Sequence, residues 1–168
     1  MAELTGLNSL DAAIAAFLAE GWYDEGGVSV EHGWLTEDDW NDGVYVPFER
    51  FRDPAAADGL CHSLNGQAAR FLEGKGFDAY SSEDGLPDGL DYDYARYAGQ
   101  GSHPAYPLHP DQLGYHDRTI AAAPNHVVCF VQADGQVFAL DFACAQYGYA
   151  ELPLVLRYDR QGGFARTW

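Results

Sequence analysis

The stretch NHVVCFVQADGQVFALDF (residues 125–142) decides the fold. Two runs rich in Val and Phe flank Ala133-Asp134-Gly135, and such runs around an Asp-Gly pair predict a β-hairpin. With a two-residue Asp134-Gly135 loop, Ala133 pairs with Gln136 and Val128 lies opposite Asp141. Side chains alternate faces along a strand, so His126, two residues from Val128, shares a face with Asp141. The two are then diagonal neighbours with backbones about 7–8 Å apart, a gap that an Asp and a His side chain can close. A one-residue slip would place them on opposite faces, so the pairing rests on the turn. A carboxylate bonded to an imidazole fixes its tautomer and stabilises the imidazolium.

Upstream, GLCHSLNGQAARFLEGK (residues 59–75) predicts a helix. Asp58 is its candidate N-cap, and Cys61, Leu64, Ala68, Phe71 and Leu72 recur on one face. Arg70 and Lys75 suit the negative end of the helix dipole, and Gly76 can close the last turn. Gly66 costs roughly 1 kcal/mol relative to Ala in mid-helix, which points to close packing there. A second amphipathic pattern over residues 8–20 places Leu10, Ile14, Phe17 and Leu18 on one face, with Asn8 or Ser9 as cap and Gly21 as stop. VSV (28–30) and VYVPF (44–48) read as short strands, the second at an edge because of Pro47. FDAYS (77–81) and ELPLVLRY (151–158) are further strand candidates. Residues 82–118, dense in Gly, Pro, Tyr and Asp, exceed the roughly 12–15 residues usual for a structureless loop, and read either as an ordered insertion over a presumed cleft or as a surface elaboration without a role. Helices followed by antiparallel strands imply one α+β domain spanning 1–168, with 1–57 as an N-terminal helix and lead-in.

The chemistry centres on Cys61. In the first turn of a helix, backbone N–H groups and the dipole favour an anion, which lowers a thiol pKa, and a nearby histidine lowers it further. Thiolate is the nucleophilic form, and the Cys61 N–H can serve as one oxyanion donor. The enzyme reading needs this thiol at an open cleft, not packed among Leu64 and Phe71. Three cysteines, an odd number, without a Cys-x-x-Cys pair suggest neither a disulfide framework nor a zinc site. Cys129 has odd parity on its strand and is expected to face away from the site into packing, and Cys144 is expected to be structural. His103, His109 and His116 lie in the insertion at spacings that match no metal motif, so no metal and no cofactor is expected.

GLCHSLNGQAARFLEGKGF, NHVVCFV, the Asp-Gly turn and VFALDFACAQYG, in that order, resemble the papain-like and transglutaminase-like superfamily, in particular its compact deamidase and papain-fold toxin branches. The resemblance covers roughly residues 58–147. It implies a papain-like fold, in which a central helix carrying the nucleophile packs on an antiparallel sheet. It also implies roles: Cys61 as nucleophile, His126 as general base and acid, Asp141 as the residue that orients the histidine. The reaction implied is acyl transfer at an amide, whether deamidation, peptide cleavage or amine transfer, on a protein or peptide substrate. Papain-type peptidases carry a glutamine a few residues before the cysteine, whereas this chain reads DPAAADGLC (53–61) there. Candidates for the missing oxyanion donor or for substrate binding are Asn65, Trp40, Tyr45, Asn125 and Gln146.

Charge bounds the partners. The chain has 26 acidic and 9 basic residues, a formal net charge of -17, which disfavours nucleic acid through like-charge repulsion. Solubility is the plainer explanation of that charge. Its functional reading is a basic partner or substrate, and the alternative to an enzyme is a non-catalytic acidic binding or inhibitor protein. No apolar run approaches the roughly 18 residues of a membrane span, and no basic n-region precedes an apolar stretch. The expected location is the cytoplasm, or outside the cell by a route without a classical signal peptide.

Overall fold

The computed structural model describes residues 7–81, 127–147, 149–159 and 163–166. Helix α1 (Leu7–Glu20) buries Leu10, Ala13, Ile14 and Phe17, the i, i+3, i+4, i+7 stripe of an amphipathic helix. The Phe17 ring meets those of Phe48, Phe71 and Phe142, with centroids 4.9, 5.2 and 5.1 Å away. Burying each such aromatic contributes about 1.5–3 kcal/mol, so this cluster anchors α1 to the rest of the core. Gly21 stops the helix as expected. Its φ is +94°, and a Cβ there would sit 2.9 Å from the Val46 carbonyl oxygen.

The next segment departs from the sequence reading. Strand β1 (Trp22–Asp24), which no alternation announced, pairs antiparallel with β2 (Val44–Val46). VSV is not a strand but the start of a short helix, α2 (Val28–Glu31). The reason is Asp24, whose carboxylate accepts the N–H groups of Gly26, Val28 and Ser29 and the Ser29 hydroxyl. That side-chain cap holds a helical turn against the β preference of two valines. Pro47 ends β2 at an edge, as expected, and leads into a 3-10 turn (Phe48–Arg52) and helix α3 (Pro54–Ala57).

Helix α4 (Cys61–Gly74) starts two residues later than the predicted span. Asp58 does not cap it. Asp58 ends α3, and the N-cap position of α4 is Leu60, which supplies no side-chain bond. Leu64, Ala68 and Leu72 are fully buried on the expected face. Gln67 fastens the β1 lobe to α4, accepting the Tyr23 N–H at 3.0 Å and donating to the Tyr23 carbonyl at 2.7 Å.

Strands β3 (Asp78–Ser81), β4 (Cys129–Ala133), β5 (Gln136–Asp141), β6 (Leu154–Asp159) and β7 (Gly163–Arg166) form one antiparallel sheet in chain order. The β4–β5 hairpin turns on Asp134 and Gly135 alone, both at positive φ (54° and 72°), the signature of the primed turn that suits strand twist. Ala133 pairs with Gln136 and Cys129 with Leu140, the expected register. Continued one step, it sets Val128 opposite Asp141. The sheet is buried on both faces. Cys129, Val131, Phe138 and Leu140 join the α1/α4 core, while Val128, Phe130, Ala139, Leu154 and Leu156 form a second cluster. Double burial explains why VVCFV (127–131) lacks a polar alternation. The result is an α+β fold with a helix packed on an antiparallel sheet.

Candidate functional site

Cys61 is the first residue of α4 and Asp141 the last of β5. Between them stands Asn65, one helical turn after Cys61 and fully buried. Its Nδ2 donates to the Val127 carbonyl and to Asp141 Oδ1, both at 2.8 Å. Its Oδ1 accepts the Phe142 N–H at 2.7 Å. The opposite amide orientation would set Nδ2 against that N–H and Oδ1 against two acceptors, so the network dictates the orientation. Asp141 Oδ1 also accepts the Ala143 N–H at 2.8 Å. One buried carboxamide therefore ties the first turns of the Cys61 helix to the end of β5 and to the backbone of the residue after His126.

Burial pushes the Asp141 carboxyl up to about 7, against the opposing pull of its bonds from Asn65 and Ala143.

The cysteines separate by environment. None of the three is in a disulfide. Burial pushes the Cys129 thiol up. Burial does the same at Cys144, where the charges of Asp141 and Glu151 add to it. Cys144 donates to the Glu151 carbonyl at 2.9 Å, a structural bond. Cys129 is buried in packing as expected, but it does not face away from α4: it lies in the cluster that holds Cys61, Leu64 and Ala68. Cys61 is 8 % exposed, against 0 % for Cys129 and Cys144; it is buried in one core cluster with Leu64, with Phe71 packed against that cluster, and is not at the open cleft the enzyme reading needs. Its neighbour His62 is exposed and lines a cleft of about 310 Å³ with Gly66, Arg70, Glu73, Tyr80 and Ser81, between α4 and β3. Gly66 is thus not explained by close packing. A Cβ there would meet, among the described residues, Arg70 Nη1 at an ordinary 3.8 Å.

The remaining candidates fall in different places. Asn65 is not an oxyanion donor, because both its amide hydrogens are already donated. Tyr45 is 58 % exposed on β2, and the cavity it lines with Tyr23 runs along the middle of α4 at Gln67 and Arg70, not at Cys61. Trp40 is half-buried, and its Nε1 meets no hydrogen-bond partner among the described residues. Gln146 lies in a 3-10 turn (Cys144–Tyr147) packed against α3, immediately before α4, and its buried Nε2 likewise has no partner among the described residues. Asn125, His126, the 82–118 insertion and its histidines lie outside the described residues. Among those described, no three His, Cys, Asp or Glu side chains group to hold a metal ion, and no helix is long and apolar enough to cross a membrane.

Sequence reading missed the joining role of Asn65. The available signal was a poor helix former in mid-helix, beside the apolar face and four residues after the candidate nucleophile. The chain matches no family model, no curated protein and no solved structure.

Proposed function

We propose that this chain is a papain-like cysteine enzyme that performs acyl transfer at an amide of a protein or peptide. The observation that supports this most is the Asn65 link between the start of the Cys61 helix, the buried Asp141 carboxylate and the Val127 carbonyl beside His126. In this reading His126 takes the Cys61 proton, and the thiolate attacks the amide carbonyl to give a tetrahedral intermediate. The imidazolium, held by Asp141, returns the proton to the departing amine as the C–N bond breaks. Water or an amine then attacks the thioester, losing its proton to His126, and the C–S bond breaks to restore Cys61. The Cys61 N–H serves as one oxyanion donor. Gln146 fills the role of the glutamine absent from DPAAADGLC, because its amide lies on the turn packed against α3.

Iodoacetamide labelling across pH tests the reading. Cys61 should label with a midpoint below the roughly 8.5 of a free thiol, while Cys129 and Cys144 stay unlabelled in the folded protein. If Cys61 reacts no faster than a model thiol, and Cys61→Ala leaves every measured activity intact, the reading fails. The net charge of -17 favours a second reading, an acidic binding protein for a basic partner. Binding that weakens steeply with salt and survives Cys61→Ala would support that alternative.

A further inference from the structure

We propose that the cavity between α1, the β1–β2 pair and α4 binds an arginine side chain of a basic partner protein, presented on an extended segment that pairs with the outer edge of β2 at Tyr45. The site lies away from Cys61, so it stands independently of the cysteine chemistry, and it gives the acidic-binding reading a definite place. Its volume of about 390 Å³ suits a side chain better than a large ligand, since ligand cavities run from roughly 300 to 1,000 Å³. Tyr45, 58 % exposed, is the one large apolar side chain that stands exposed among the described residues. Its ring leans on that of Tyr23 at 51°, with centroids 5.0 Å apart. Tyr23 is fixed in place: its hydroxyl donates to the Asp42 carbonyl at 2.8 Å, and Gly43 lies so close to the ring that no Cβ would fit there. Glu20 and Glu25 line the same cavity, both exposed, and neither makes an ion pair among the described residues. Elsewhere the molecule sets its own cations over rings, Arg50 on Trp34 and Lys75 on Phe71, each 5.1 Å from the ring centre. The tyrosine pair carries no such cation among the described residues. A planar guanidinium can stack there while its N–H groups reach the two carboxylates.

The backbone adds a second anchor. Gln67 engages both the N–H and the carbonyl of Tyr23. In an antiparallel strand these two groups of one residue point to the same side. The Tyr23–Tyr45 pair therefore exchanges no ladder bonds, and the Tyr45 N–H and carbonyl point outward. Among the described residues nothing bonds to them. Pro47, two residues on, lacks an N–H and gives its carbonyl to Arg50, so this open edge is short and fits one paired residue. A guest residue opposite Tyr45 sets its side chain on the same sheet face as the tyrosine ring, over the cavity. The net charge of -17 draws a basic segment toward the surface. Arg70, on the α4 wall of the cavity, opposes the guest.

The test is an amide NMR titration of the full chain at low salt with the capped peptide acetyl-Thr-Arg-Thr-amide. The Tyr45 N–H and the Gln67 side-chain amide should shift in one saturable step. Tyr45→Ala should weaken binding about fivefold through the lost ring, and Glu20→Gln with Glu25→Gln about fivefold together through the lost charge. Arg70→Gln should tighten it about threefold, because a like charge leaves the wall. All four positions are exposed, and circular dichroism verifies folding of each variant. A peptide with citrulline in place of arginine keeps the shape without the charge and should bind about tenfold more weakly. A peptide N-methylated at the arginine amide cannot donate to the Tyr45 carbonyl and should lose about fivefold. Equal binding of the arginine and citrulline peptides, or unchanged affinity in Tyr45→Ala, would overturn the site. So would the absence of any saturable shift. Shifts spread over the acidic surface without a step at Tyr45 would overturn it too, while leaving a diffuse acidic binding protein standing. The alkylation profile of Cys61 decides the enzyme reading separately and has no bearing on this site.

Discussion

Among the described residues two aspartates are buried, and they are held in different ways. Asp24 accepts four hydrogen bonds spread over both oxygens, and all four come from residues within five positions along the chain. Burial alone would raise its pKa, but the Ser29 hydroxyl and the N–H groups of Ser29, Val28 and Gly26 outweigh it and hold the carboxyl below its ordinary value. Asp141 has two described bonds on one oxygen, one of them from a residue 76 positions away, and burial wins. A locally saturated carboxylate is a structural cap. A carboxylate raised by burial and bonded from a distant element is what the proposed mechanism uses.

The largest effect should come from removing the cap. Asp24→Ala strands four donors and should cost about 3 kcal/mol or more in urea unfolding, whereas Asp141→Asn, nearly isosteric, should cost about 1 kcal/mol at pH 7. A reversed order would break the contrast between the two sites.

The pH dependences should carry opposite signs. The folded value of Asp24 is depressed, so its stabilisation is present above the unfolded pKa and disappears as pH falls through the folded one. Asp141 is raised from 3.8 to about 7, so between these values the folded state holds a proton the unfolded state has released, and stability falls as pH rises. In the proposed mechanism a His126 imidazolium would partner Asp141 and oppose that rise. His126→Ala should therefore steepen the decline from pH 4 to pH 7, on the order of a few kcal/mol, and Asp141→Asn should flatten it. Equal slopes in wild type and His126→Ala would separate His126 from Asp141.

The smallest effects come from two glycines, Gly21 after α1 beside the Asp24 strand and Gly66 on the helix that bonds Asp141. Gly21→Ala forces a Cβ against the Val46 carbonyl at positive φ and should cost about 1–2 kcal/mol. Gly66→Ala gains helix propensity beside an open cleft and should stabilise α4 by about 0.5–1 kcal/mol in the same unfolding measurement.

Much of this architecture was legible residue by residue. The Asp134-Gly135 turn set the hairpin register, because a two-residue loop leaves no freedom in pairing. Leu64, Ala68 and Leu72 marked the buried side of α4 through helical spacing alone. VSV misled, since two valines favour a strand until Asp24 is seen to cap them. Asp58 misled too, because a good cap residue fitted either the end of α3 or the start of α4.

By itself, then, the amino-acid order determined where strands turn and which helix faces are apolar. Those are local matters of backbone dihedral and side-chain period. Only the tertiary structure decided that Asn65 is a link and not an oxyanion donor, and that it bonds Asp141 from 76 positions away. The role of a buried polar group depends on which partners reach it, and here Asn65 on α4 donates to Asp141 and to the Val127 carbonyl and accepts from the Phe142 N–H, partners far apart in the chain.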